Sequence, residues 1–248
     1  MDGELALICR HPLKGHGREE LASVRLFKGQ AMPWDRVWAV AHESSKLNPE
    51  GGWSGPINFA RAARAPGLMA LTSTFDEAEQ RLTLCHPELG ETSLRFGDEA
   101  EMAALVDWLQ PLNPEGRRPV RLVKASQPLT DSAWPSVSVL SLASLRALGG
   151  KLGQELSPHR FRGNLWVEGW EPWAEKSLIG QEIQIGAARL LVREEITRCN
   201  ATRVNPETGI PDAETLTTLR DGFGHQQLGL YCEVLEGGEI RLGDKVSV

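Results

Sequence analysis

The sequence predicts a mixed, mainly β fold with a few helices (α+β), in which a β-barrel is preceded by a smaller β-rich domain. Three observations lead there. Many short apolar or alternating segments are cut by turn residues, with 25 Gly and 15 Pro in 248 residues, the pattern of short strands closing on themselves. Helical spacing is confined to two short stretches. A polar, proline-rich connection, Asn113-Pro114-Glu115-Gly116-Arg117-Arg118-Pro119, divides the chain into an amino-terminal domain at 1–116 and a carboxy-terminal one at 117–248.

Taken in order, strands are expected at Leu5 to Cys9, Ala22 to Phe27, Val37 to Ala41, Leu68 to Thr72 and Arg81 to Leu84. Asp98-Glu99-Ala100-Glu101 reads as a capping box, and Met102, Leu105, Val106 and Leu109 follow at helical spacing until Pro111. Beyond the connection, Val120 to Lys124 and Val137 to Leu140 read as strands. Leu142, Leu145 and Leu148 then make a short helix ended by Gly149-Gly150, with Ser136, Ser138 and Ser141 near its start. In the tail, Tyr231 to Leu235 and Ile240 to Leu242 form a hairpin about Glu236-Gly237-Gly238-Glu239, and Lys245 to Val248 close the sheet.

Composition narrows the function classes. At 41% hydrophobic and 24% charged residues the chain is an ordinary globular protein, and a net charge of −6 gives no global field for a nucleic acid or a membrane surface, so an anion site has to be local. No apolar run approaches the ~18 residues of a membrane span and the start lacks a secretory pattern, so the expected location is cytoplasmic. Cys9, Cys85, Cys199 and Cys232 form no Cys-x-x-Cys pair, which argues against a zinc knuckle or an iron–sulfur cluster. Cys9 and Cys232 fall in apolar strands and read as packing thiols. Gly222-Phe223-Gly224-His225 lacks the spacing and the following helix of a dinucleotide fingerprint. Trp166, Trp170 and Trp173 read as core, with the wall of a substrate cleft as the alternative.

Cys199 is the residue that stands apart. It lies in Thr197-Arg198-Cys199-Asn200-Ala201-Thr202-Arg203, followed by Val204-Asn205-Pro206-Glu207-Thr208-Gly209. Flanking cations favour the thiolate, which is both nucleophile and soft metal ligand; a structural cysteine is the plain alternative. The run resembles the molybdenum cofactor sulfurase C-terminal (MOSC) domain family, in which the cysteine after the arginine is the functional thiol. The resemblance continues, in the expected order, through Arg160 to Leu165, Gly229 to Val234 and Gly238 to Asp244. His11-Pro12-Leu13-Lys14-Gly15 and Trp34 to Val40 are similar to the β-barrel domain that often precedes MOSC, as in amidoxime-reducing components and their bacterial relatives.

The resemblance implies a molybdenum cofactor, a pterin carrying a dithiolene and a terminal phosphate, and it implies roles. Cys199 is the catalytic thiol and metal ligand. Lys14 and Gly15, Arg36, Ser138, Arg162, Asn164 and Arg198 are the expected cofactor-binding residues. Without the family, His11 to Arg18 reads as an exposed basic turn, while Arg36 reads equally as a partner for Asp35 or another acid and Arg198 equally as a solvent-facing helper. Two departures stand out: Gly15 replaces the family's usual serine, removing a hydroxyl contact, and Gly163 replaces the proline of a run that normally reads Phe-Arg-Pro-Asn.

What the resemblance implies in function is reduction of small N-hydroxylated or N-oxide substrates, with electrons from a separate flavin, iron–sulfur or haem protein. Two other readings stay open: a non-catalytic carrier of the cofactor or of sulfur as a persulfide, and a cofactor-free interaction barrel, for which Gly15 and Gly163 are the support.

Overall fold

In the computed structural model, which describes residues 1–47 and 52–248, seven strands among those residues close into a barrel. Around the ring run Leu165–Glu168, Val137–Ser141, Gln227–Glu236, Ala188–Thr197, Glu182–Ile185, Lys245–Ser247 and Asp2–Arg10, which returns to Leu165–Glu168. Neighbours are antiparallel except for Val137–Ser141 beside Leu165–Glu168, joined by a helical crossover. Alternation fills the interior with Leu190 and Val192 and with Leu230, Cys232 and Val234, and a register shift between Leu5 and Leu7 brings both Leu5 and Ile8 into the same cluster. The expected mainly β architecture with a barrel is what the structure shows.

A second core lies beside the barrel. Leu13–Lys14, Trp38–His42 and Pro119–Lys124 form one small sheet. Thr72–Asp76, Arg81–His86 and Gly90–Arg95 form a meander. Helix α1, Glu99–Trp108, covers them with Leu105 and Val106. Each core takes strands from both sides of residue 116: Asp2–Arg10 belongs to the barrel ring, and Pro119–Lys124 to the small sheet.

Helix α1 starts where the capping pattern places it, with Asp98 Oδ1 accepting from the amides of Ala100 and Glu101 at 3.0 Å. The reciprocal half of the box is absent, because Glu101 instead accepts from the Arg95 amide at 2.5 Å and pairs with Arg81. Helix α2, Leu142–Leu152, is capped by Ser141 and runs through Gly149-Gly150 to Gly153, whose φ of 72° ends it. Gly149 is there for packing: a Cβ would lie 2.6 Å from the Gln154 carbonyl. A third helix, α3 (Thr215–Phe223), packs against α2.

Two expected elements differ. Leu68 to Thr72 is not a strand. Pro66 opens a 3₁₀ turn, Pro66–Ala70, that buries Leu68, Met69 and Ala70, and extension begins only at Thr72. Gly238–Arg241 does not ladder with Tyr231 to Leu235; it pairs with Ser23–Leu26, register Gly238 to Leu26. Trp166 and Trp170 are core residues. Among the described residues no helix is long and apolar enough to cross a membrane.

Candidate functional site

Where the barrel meets the second core, a cleft enclosing about 870 Å³, the open solvent at its mouth included, is lined by Lys14, Gly15, Arg36, Ser138, Arg162, Asn164, Arg198 and Cys199. All eight residues singled out by sequence thus converge on one cavity. Arg61, Arg160, Thr130, Asp131, Ser136 and Tyr231 also line it. Among the described residues six cations, Lys14, Arg36, Arg61, Arg160, Arg162 and Arg198, line it with one carboxylate, Asp131, so the acidic chain contains an electropositive cleft.

The run His11 to Arg18 is buried throughout rather than an exposed turn. Lys14 Nζ donates to the Leu129 carbonyl at 2.6 Å and pairs with Asp131. Burial lowers its pKa, with Asp131 opposing. Gly15 sits at φ +77°, and a Cβ there would lie 2.5 Å from the Ala60 carbonyl oxygen. The segment at 60–61 occupies the space a serine side chain needs, which is the physical reason for this departure from the family pattern.

Arg36 and Arg162 both adopt left-handed backbone, at φ 54° and 48°, a conformation that costs a non-glycine residue about 1 kcal/mol or more and concentrates at functional sites. They are linked, since Arg36 Nη2 donates to the Arg162 carbonyl at 2.7 Å while Nη1 pairs with the fully buried Asp35. Burial alone would raise the Asp35 carboxyl; Arg36, with His11, holds it well below the usual carboxylate range. Arg162 is pushed down to about 9, by burial and then by the charge of Arg36, and its Nη2 is buried without a hydrogen-bond partner among the described residues. An orphaned guanidinium nitrogen on a cationic cavity wall is a ready anion donor.

Asn164 and Ser138 spend their hydrogen bonds on each other. Asn164 Oδ1 accepts from the Ser138 amide at 3.1 Å and hydroxyl at 2.8 Å, its own amide donates to Ser138 Oγ at 2.8 Å, and its Nδ2 donates to the Cys9 carbonyl at 3.2 Å. They brace three barrel strands behind the cleft. Gly163 between them and Arg162 has no room for a side chain: a Cβ would lie 2.2 Å from Leu140 Cδ1. Leu140 fills the volume that the family's proline ring requires.

Cys199 follows the strand Ala188–Thr197 and opens the turn Asn200–Arg203. Its carbonyl accepts from the Thr202 amide and hydroxyl at 3.2 and 3.1 Å, and its side chain is exposed. Beside it Arg198 does not point to solvent. Its guanidinium donates to the Leu228 carbonyl at 2.7 and 2.5 Å and to the Phe161 carbonyl at 2.9 Å, over the Phe161 ring. Burial lowers it to about 10. The turn and the segment after it are fixed from both cores: Arg160 donates to the Arg203 carbonyl at 3.2 Å and pairs with Asp212 at 2.6 Å, and Arg18 donates to the Pro206 carbonyl at 3.1 Å and pairs with Glu207 at 2.8 Å.

Sequence reasoning did not single out Arg61, Arg160, Asp131 or Tyr231. Tyr231 was findable, because in Leu230-Tyr231-Cys232 the period of two turns it to the face opposite its buried neighbours. Burial keeps this phenol, the one tyrosine in the chain, protonated. Asp131 and Arg61 lie in irregular segments, where no local pattern announces a side chain's direction.

A MOSC domain model matches residues 132–247. The mitochondrial amidoxime-reducing component 1 of Xenopus laevis is 32% identical, over 86% of this chain and 71% of its own length. The human protein of that name is 31% identical over 52% of this chain, and the molybdenum cofactor sulfurase of Anopheles gambiae 27% over 66%. The chain spans 42% of the human relative and 24% of the mosquito one. Among solved structures, the YuaD protein of Bacillus subtilis is 14% identical, with a TM-score of 0.49 over 99% of this chain and 94% of that one. With the frog relative matched along most of both chains and the domain model covering the segment that carries Cys199, the chain belongs to the MOSC domain family.

Proposed function

We propose that the cleft binds a molybdenum cofactor and that the protein reduces small N-hydroxylated or N-oxide compounds with electrons from a separate redox protein carrying flavin, iron–sulfur or haem. The observation that carries this reading is the convergence of one exposed thiol, Cys199, with a six-cation wall in which Arg162 Nη2 is buried and unpartnered. The donor set suits the group. The pterin brings two sulfur ligands of its own, so one protein thiolate is enough, and its phosphate matches the surplus of cations.

In this reading Lys14, Arg36 and Arg162 hold the phosphate, and Gly15 lets backbone approach it. Arg198, fixed by its three bonds to carbonyls, sets a positive charge beside Cys199. Asn164 and Ser138 keep the wall in place. Tyr231 presents a protonated oxygen to the cleft and can donate a hydrogen bond there. When bound, the cofactor supplies two-electron chemistry at the substrate's N–O bond, which no side chain here provides.

The test is molybdenum and pterin content of protein purified from a host that makes the cofactor, wild type against Cys199→Ser. Near-stoichiometric loading that drops in the variant supports the reading; no loading in either form, where a related protein loads, removes it. The exposure of Cys199 also favours the carrier reading. A cyanide-labile sulfur on Cys199 without molybdenum is its signature.

A further inference from the structure

The Lys14 side chain already has an anion on it, and that anion belongs to the protein. Asp131 contacts Lys14 Nζ from the irregular segment between the strands Pro119–Lys124 and Val137–Ser141. The two partners differ in surroundings: the Lys14 side chain is 5% exposed, whereas that of Asp131 is 56% exposed and opens into the cleft. Crowding by the cleft walls would raise the Asp131 carboxyl even at this exposure, yet Lys14, then Arg36 and Arg61, hold it down at about 2. The carboxylate therefore sits where the charges of three cleft cations meet.

Arg61 arrives there through Gly15. The missing side chain of Gly15 admits the 60–61 backbone, with Ala60 O 2.5 Å and Arg61 Cα 3.3 Å from the Cβ position. Arg61 lines the cleft, its charge is felt at Asp131, and its side chain makes no hydrogen bond or ion pair among the described residues. A buried ammonium needs an anionic partner at all times. An exposed carboxylate meets that need and still gives way to a ligand of higher charge, since the attraction to fixed cations scales with that charge.

We propose that Asp131 is a displaceable counter-ion marking the position of a phosphomonoester dianion, and that Arg61, admitted by Gly15, takes over the anion contact that a hydroxyl at position 15 would make. The proposal deepens the cofactor reading and rests on it. On binding, the phosphate takes the Lys14 contact, Asp131 swings into solvent, and Arg61 closes on the phosphate from the Gly15 side.

The experiment is calorimetric titration of the full chain, made in a host lacking the cofactor, with inorganic phosphate and with glycerol phosphate. Arg61→Gln is expected to weaken both by about tenfold, the worth of one charge-assisted hydrogen bond. Arg61→Lys is expected to keep most of the affinity, and Asp131→Asn to strengthen binding by about threefold or more as the competing charge is removed. Melting curves verify that each variant folds, and Arg61→Lys against Asp131→Asn carries the test if Arg61→Gln does not. If Arg61→Gln and Asp131→Asn both stay within twofold of wild type while Lys14→Gln abolishes binding, this inference is overturned and the cofactor reading stands. If neither wild type nor Asp131→Asn binds either probe, both are overturned.

Discussion

Asn164 Oδ1 receives both donors of Ser138, the amide at 3.1 Å and the hydroxyl at 2.8 Å, while its Nδ2 reaches back to the Cys9 carbonyl. One buried amide thus ties the strand Asp2–Arg10 to the strand Val137–Ser141 across the floor of the cleft. Asn164→Ala strands the Ser138 donors and the Cys9 carbonyl in a dry interior. The expected loss is about 2–4 kcal/mol in urea unfolding. Ser138→Ala, which leaves its own amide bonded to Asn164, is expected to cost less, and the two losses should be strongly non-additive in a double-mutant cycle.

The thiols divide by burial. Cys9 and Cys232 are buried while Cys85 and Cys199 are exposed, and burial raises the Cys9 thiol to about 12 and Cys232 further still. A thiol-exchange reagent at neutral pH should therefore titrate two groups in the native protein, four in denaturant, and one in native Cys85→Ser.

Gly15 and Gly163 should resist the family's own residues. Gly15→Ser meets the Ala60 carbonyl and must hold φ +77°, at a cost of about 2 kcal/mol or more. It should lower the melting temperature without improving phosphate binding. Gly163→Ala meets Leu140 and should cost about 1–3 kcal/mol, a loss that shrinks when Leu140→Val makes room.

Acid should weaken the fold early. His16 is fully buried, its Nδ1 against the Lys14 carbonyl at 2.8 Å and its Nε2 without a partner among the described residues; burial lowers its pKa from 6.5 to about 4. The unfolded chain therefore takes up the proton first as pH falls, and stability drops between pH 6.5 and 4 by about 3 kcal/mol from this group. His11, lowered by burial in the same direction, adds to the slope. Chemical denaturation at stepped pH should show this limb, and His16→Phe should make it shallower.

Much of this was legible because each signal is local. The apolar run Leu5 to Cys9, the period of two in Tyr231 to Leu235 and the cap at Asp98 are carried by side chains a few residues apart. The thiol and its arginines were legible through their order along the chain and its likeness to one family. What stayed hidden depends on partners far away. Gly238–Arg241 bonds to Ser23–Leu26, some 215 positions earlier, so a tight glycine turn pointed to the wrong neighbour. The run Pro66 to Ala70 is apolar enough for a strand, but its proline and the packing of Leu68 and Met69 choose a 3₁₀ turn. Asp131 and Arg61 acquire meaning only once the fold sets them beside Lys14.

The strand Asp2–Arg10 closes the ring against Leu165–Glu168 on one side and Lys245–Ser247 on the other. During synthesis it must therefore wait for most of the chain to leave the ribosome, and until then the growing sheet exposes two unpaired edges, the state in which β proteins are most prone to associate with one another. An excised fragment spanning 132–247 keeps those edges for good, lacking the strand that joins them. Expression of that fragment is expected to give aggregates where the full chain stays monodisperse, so the half that carries Cys199 is no detachable module: the molecule's first strand, nine residues long, is the latch of a barrel made almost entirely from the other end of the chain.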